Sequence, residues 1–206
     1  SRQVKSKLIP GDDPITQILN TVAFSEAFSG TASDVEHDLA HCFNTTSHFL
    51  KEKRILQMLN PTSAFVKETL LSEYPKTGKY LKKLNAYDVA AALEERECAG
   101  ADAVVASSRL AKENIARLYG RKDGVEVIQT GLDPSSVCQD YAKQKNKLKM
   151  ILFPNRISVM KGFRYMPEAM RLIRKEFPAS ILVVSGRIDD FDRDVIEVDL
   201  KELREM

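Results

Sequence analysis

The stretch from Leu148 to Gly186, LKMILFPNRISVMKGFRYMPEAMRLIRKEFPASILVVSG, constrains the fold more than any other part of the chain. Met150, Ile151, Leu152 and Phe153 form a continuous apolar run, which predicts a strand buried on both faces of a parallel sheet covered by helices. The apolar period then changes. Met166, Met170, Ile173 and Phe177, with Ala169 among them, recur at three- and four-residue spacing, while Arg164, Glu168, Arg171, Arg174 and Lys175 take the opposite side. That pattern predicts an amphipathic helix. Pro167 falls in or near its first turn, where a missing N–H costs little. Residues 181–184 (ILVV) predict a second buried strand, ending at Ser185 and Gly186. Strand, helix and parallel strand make a βαβ unit, whose crossover should be right-handed.

Open parallel sheets bind ligands beyond the carboxyl ends of their strands, where a helix N-terminus also offers backbone amides to an anion. Arg156 and Lys161 bracket that point, and Gly162 allows close backbone approach. A guanidinium grips phosphate oxygens with a planar fork and an ammonium adds a compact charge, so these three residues are candidates for holding a diphosphate. Ser185 and Gly186 are candidates for lining the same cleft. For an isolated R-x-x-x-x-K-G string the plainer reading is a solvated basic loop, and context has to decide between the two.

The context lies upstream. Residues 101–106 (ADAVVA) predict a strand, Ser107 and Ser108 the capping residues of a helix, and Leu110, Ile115 and Leu118 one face of that helix before Gly120 stops it. Residues 125–129 (VEVIQ) predict the next strand, followed by Thr130-Gly131-Leu132-Asp133. Residues 38–44 (DLAHCFN) and 55–63 (ILQMLNPTS) predict two further strand-and-loop segments. Residues 67–74 and 76–84 are helix-like stretches broken at Pro75 and Gly78, and Asp88 is positioned to cap a helix through Cys98.

Taken in order, these blocks resemble the family 4 glycosyltransferases, retaining enzymes of the two-lobed GT-B fold. The match covers about residues 35–186. The resemblance implies an α/β fold with Rossmann-like parallel sheets: an incomplete N-terminal, acceptor-side lobe over residues 1–146, and the first βαβ unit of a C-terminal nucleotide-sugar lobe over 147–206. In that family a strand ending in arginine, a turn and Lys-Gly opening a helix hold the donor diphosphate, which assigns that role to Arg156, Lys161 and Gly162. Pro154-Asn155 stands where the family usually has a glycine before the arginine, a departure that alters the path of the loop. The resemblance also implies that His41 projects into the cleft from the carboxyl end of its strand as the catalytic imidazole; the alternative is a partly buried histidine satisfied by a backbone group. Asn44, Ser63, Ser107 and Gly131 are candidate cleft-lining positions, although loop serines and asparagines need no such role.

The implied reaction transfers a sugar from a nucleotide diphosphate sugar to a hydroxyl of a glycan, lipid-linked or small-molecule acceptor, with retention at the anomeric carbon and with no cofactor or metal. The family's distal pair of glutamates is not legible here: Glu168 with Glu176, and Glu197 with Glu205, have the right separation but read as solvated charges. With the missing opening strand, this implies a chain truncated at both ends. Two other classes stay open, a non-catalytic nucleotide-sugar-binding or interaction module, and a GT-B sugar-nucleotide epimerase relative.

Composition is consistent with these readings. A 206-residue chain with 43% hydrophobic residues can bury a sizeable core, and its net charge of +2, with basic and acidic residues interspersed, predicts no nucleic-acid partner. Cys42, Cys98 and Cys138 are odd in number and lack metal spacing, which predicts a reduced, cytoplasmic setting. No apolar run reaches membrane-spanning length, while peripheral contact at the cytoplasmic face of a membrane is compatible with the sequence.

Overall fold

A computed structural model describes residues 9–10, 14–43, 45–58, 61–74, 81–136, 149–188 and 193–206. The chain forms two compact units, Ser1–Leu71 with Gly78–Gly131, and Ser72–Thr77 with Leu132–Met206.

The first unit is built on a four-stranded parallel sheet in the order β1 (Ala40–Phe43), β2 (Arg54–Met58), β3 (Ala103–Ala106) and β4 (Val125–Val127). Helices α1 (Pro14–Ser33), α2 (Ser63–Glu73), α3 (Leu81–Gly100) and α4 (Arg109–Tyr119) accompany it. This is α/β architecture with a parallel sheet, compatible with a Rossmann-like fold. Strand alternation sets the core. Leu56 and Met58 from β2, Val104 and Ala106 from β3 and Val125 from β4 point one way and pack with Cys98, Ala101, Ile115 and Tyr119, all buried. Each fully buried large side chain contributes about 1.5–3 kcal/mol of transfer free energy.

Local chemistry explains the helix ends. Ser108 is extended, and its Oγ accepts the Ala111 N–H at 3.1 Å; Gly120 stops α4 in the left-handed region at φ 69°, where a Cβ would be strained. Three expectations for this unit need correction. Asp88 does not cap a helix: α3 begins by Leu81, and the Asp88 carboxylate pairs instead with Lys67 at 2.5 Å. The helix expected from residue 67 starts at Ser63, because the Thr62 hydroxyl accepts the Phe65 N–H at 3.3 Å. Leu110 is 57% exposed, since α4 turns Ala111, Ile115, Leu118 and Tyr119 to the sheet. Helix α1, for which the apolar pattern gave no signal, packs on α3 and holds the turn after β1: the His48 N–H donates to buried Ser25 at 3.0 Å, and Ser29 donates to the Phe49 carbonyl at 2.8 Å.

The second unit contains β5 (Met150–Phe153) paired in parallel with β6 (Ile181–Val184), and α5 (Met166–Glu176) with α6 (Arg193–Glu205). The expected strand–helix–strand order is present. Burial on both faces is not: Met150 is 60% and Leu152 56% exposed, and Ile181 is also exposed. Among the described residues α5 and α6 cover only the side carrying Ile151, Phe153, Leu182 and Val184, and a four-residue apolar run reads the same whether one face is covered or two. Phe163 is wholly buried and meets Phe153 edge-on at 5.3 Å between ring centroids. Among the described residues no helix is long and apolar enough to cross a membrane.

Candidate functional site

Beyond β5 the chain runs through Pro154, Asn155 and Arg156, all exposed, and then buries Ile157, Ser158 and Val159. Ile157 forms a parallel bridge to Ile188, and its N–H donates to the Arg187 carbonyl at 3.0 Å, so the loops after β5 and β6 lie side by side. The Ser185 N–H donates to the Phe153 carbonyl at 3.0 Å. Gly186 is required at this contact. A Cβ there would overlap the Asn155 carbonyl oxygen and lie 2.7 Å from the carbonyl carbon and 3.0 Å from the Arg156 nitrogen. Backbone thus meets backbone at the base of Arg156.

Two 3₁₀ turns follow, Val159–Lys161 and Phe163–Tyr165, joined by Gly162 at φ 70°. The left-handed geometry explains why glycine stands there. It also corrects the expectation that Lys161 and Gly162 open the helix: α5 starts at Met166, after the second turn, with Pro167 in its first turn as anticipated. The N–H groups of Lys161, Gly162 and Tyr165 are occupied by the carbonyls of Ser158 at 3.2 Å, Val159 at 3.0 Å and Gly162 at 3.1 Å. What this loop offers an anion is therefore chiefly side-chain charge, from exposed Arg156 and exposed Lys161.

In the first unit, His41 is second in β1, in register with Ile55, rather than at the carboxyl end. Alternation explains its direction. Cys42 takes the buried core side, so His41 and Phe43 face the other side of the sheet, exposed, with ring centroids 5.4 Å apart. The His41 Nε2 lies 2.8 Å from the Gln57 Oε1, an interaction with a side chain of the neighbouring strand and not with the backbone.

The remaining candidates divide. Ser63 is held by Glu94, which accepts its N–H at 2.8 Å and its hydroxyl at 2.6 Å. Ser107 is half-buried just before the capping Ser108, and Gly131 is exposed with open space around it. Ser185 and Gly186 are exposed beside the Arg156 backbone. Asn44 and Cys138 lie outside the described residues. Glu168, Glu176, Glu197 and Glu205 are exposed, as expected of solvated charges.

The carboxyl edge of this sheet is organised by two carboxylates not anticipated from the sequence. Glu94 and Glu97, 3% and 1% exposed, sit about one turn apart on α3. Glu97 accepts the Thr45 N–H at 2.5 Å, the Ser47 N–H at 2.5 Å and the Ser47 hydroxyl at 2.9 Å, and so fixes the turn after β1. Glu94 fixes the start of α2 through Ser63 and also accepts from the Tyr119 hydroxyl. Burial pushes the Glu94 carboxyl above the usual carboxylate range despite these donors, and burial with the nearby Glu94 charge pushes the Tyr119 phenol up. A legible signal existed, since Glu94 and Glu97 share the helical spacing of buried Cys98 and Ala101. The two described cysteines, Cys42 and Cys98, are free and buried. Burial raises both thiols, Cys98 to about 12, so neither is a ready thiolate at neutral pH.

No protein-family model and no curated protein matches this sequence.

Proposed function

We propose that this chain acts as a retaining GT-B glycosyltransferase, with its first unit on the acceptor side and its second on the nucleotide-sugar side. The observation that carries the reading is the loop after β5: Arg156 and Lys161 both stand exposed beyond the strand end, on a backbone shaped by Gly162 and braced by Gly186. The ordered sequence blocks resembling family 4 enzymes support it. In the proposed reaction the anomeric carbon gains oxocarbenium character while the departing nucleotide diphosphate gains negative charge. Arg156 supplies a two-pronged donor and Lys161 a point charge to that leaving group, lowering the barrier where charge develops. His41, held by Gln57 on the sheet face, contributes to this scheme only if the acceptor or donor sugar reaches that face.

Isothermal titration with a panel of nucleotide diphosphate sugars, run beside a turnover assay, tests the reading. Arg156→Ala and Lys161→Ala are each expected to weaken donor binding about tenfold or more, from ~1.5–3 kcal/mol for a hydrogen bond to a charged group, while leaving the urea midpoint unchanged. Undiminished donor affinity in both variants would remove the assignment. Donor binding without transfer would favour the alternative of a non-catalytic nucleotide-sugar module.

A further inference from the structure

The turn between β1 and β2 carries a buried balance of charge that the proposed reaction does not use. Arg54, 9% exposed, reaches into it from β2 and donates from Nη1 to the Leu50 carbonyl at 2.5 Å. Glu97 of α3 supplies the opposing charge, and its two oxygens already accept from the Thr45 N–H and from the N–H and hydroxyl of Ser47. His48 follows Ser47 directly. Both of its ring nitrogens are without accessible surface and, among the described residues, without a hydrogen-bond partner.

The same turn is where α1 is attached. The His48 N–H donates to the Ser25 hydroxyl at 3.0 Å, and the Phe49 carbonyl accepts from Ser29 at 2.8 Å. Each element around the imidazole brings a known charge. Glu97 and exposed Arg96 come from α3 and Arg54 from β2, while Cys42 of β1, beside the same Glu97 and Arg54, is kept protonated by burial. Helix α1 meets the turn through serines, and its single charged residue, Glu26, is exposed.

A neutral imidazole fits this balance. A protonated one adds a second positive charge near Arg54 and two N–H donors, where the oxygens of Glu97 are already taken. Burial holds the imidazole below its ordinary value, with Arg96 and Arg54 adding to the effect and Glu97 opposing it. Stability that depends on the neutral ring is therefore fully present above the ordinary imidazole value of ~6.5 and is lost as pH falls below it. The charged ring reaches water by displacing residues 48 and 49, which carry both hydrogen bonds to α1. Such a local opening costs less than unfolding the sheet.

We propose that His48 is an acid-sensitive latch: a proton gained by its imidazole turns the ring out to water and releases α1 from the turn after β1. The device is independent of the diphosphate loop and of any glycosyltransferase activity.

Amide hydrogen exchange of the full chain, followed by mass spectrometry and corrected for the intrinsic rate at each pH, tests this. Between about pH 7.5 and about pH 5.5, exchange in α1 and in the turn is expected to accelerate several-fold, up to about tenfold, the limit for one proton taken up one pH unit below ~6.5. No such acceleration is expected in α4. His48→Leu has no proton to gain and forfeits no ring hydrogen bond, so it should abolish the acceleration, whereas His37→Gln should retain it. If His48→Leu fails to fold, the wild-type protein decides by NMR: the His48 ring resonances should titrate below ~6.5 and in step with α1 exchange. Equal acceleration in α4, acceleration that survives in His48→Leu, none in the wild type, or a ring titrating at or above its ordinary value would each overturn the proposal.

Discussion

Replacing Glu97 by glutamine is expected to lower the stability of the first unit by about 2–4 kcal/mol, although the change is nearly isosteric. Both oxygens of Glu97 accept backbone N–H groups: one takes Thr45, and the other takes Ser47 together with the Ser47 hydroxyl. A glutamine has one oxygen, so its NH₂ must face a backbone N–H whichever way the amide is turned. One buried donor is left without an acceptor and a second donor is pressed against it.

Glu94→Gln makes the contrast. One Glu94 oxygen accepts the Ser63 N–H and the Tyr119 hydroxyl, but among the described residues the other meets only the Ser63 hydroxyl, which can rotate to accept from an NH₂ group. This variant is expected to stay within about 1 kcal/mol of wild type. It should also change the pH dependence. The folded Glu94 carboxyl is raised above its unfolded value, so its contribution is fully present below the ordinary carboxylate range and is lost as pH rises through the raised value. Between mildly acidic and neutral pH, Glu94→Gln should therefore gain stability relative to wild type. Urea midpoints of the three proteins across that range check both statements. Equal stability of the two glutamine variants at neutral pH would show that the hydrogen-bond assignment is wrong.

Gly186→Ala is the second large effect, an expected loss of about 3 kcal/mol for one added methyl group. The obstruction is backbone, the Asn155 carbonyl and the Arg156 nitrogen, and backbone cannot swing aside as the end of a flexible side chain can. Relief requires the loops after β5 and β6 to separate, stretching the Ile157 N–H bond to the Arg187 carbonyl. The readouts are a lowered urea midpoint and faster hydrogen exchange at the Ile157 amide. An alanine variant with the wild-type midpoint and exchange rate would mean the loops are not in contact as described. Because the same contact supports Arg156, nucleotide diphosphate sugar affinity should fall with it under the proposed function.

Much of the fold was legible because it is written in local chemistry. Ser108 and Gly120 bound α4 through one capping hydrogen bond and one left-handed residue, and Pro167 marks the first turn of α5. The apolar runs at β2, β3, β5 and β6 are strands in parallel pairing. The errors share a cause. Asp88 has the chemistry of a cap, but the start of α3 lies upstream and Lys67, from α2, claims its carboxylate. His41 lies within a strand, where the neighbouring Cys42 takes the core side and turns it outward. The spacing of Glu94 and Glu97 with Cys98 and Ala101 marks one face of α3, but nothing local reveals that two loops bring donors to these carboxylates.

For the candidate site the division is the same. Sequence alone determined which residues carry charge beyond the β5 strand, Arg156 and Lys161, and that a glycine separates Lys161 from the following turn. Side-chain chemistry and backbone freedom are properties of the residue and its immediate neighbours. Only the tertiary structure decided that α5 begins after a second 3₁₀ turn, that Gly186 packs against the backbone of Asn155, and that Glu97 ties the turn after β1 to α3. Each of those depends on which distant segment supplies the partner, and a donor, an acceptor or a steric wall from elsewhere in the chain leaves no periodic trace in the sequence.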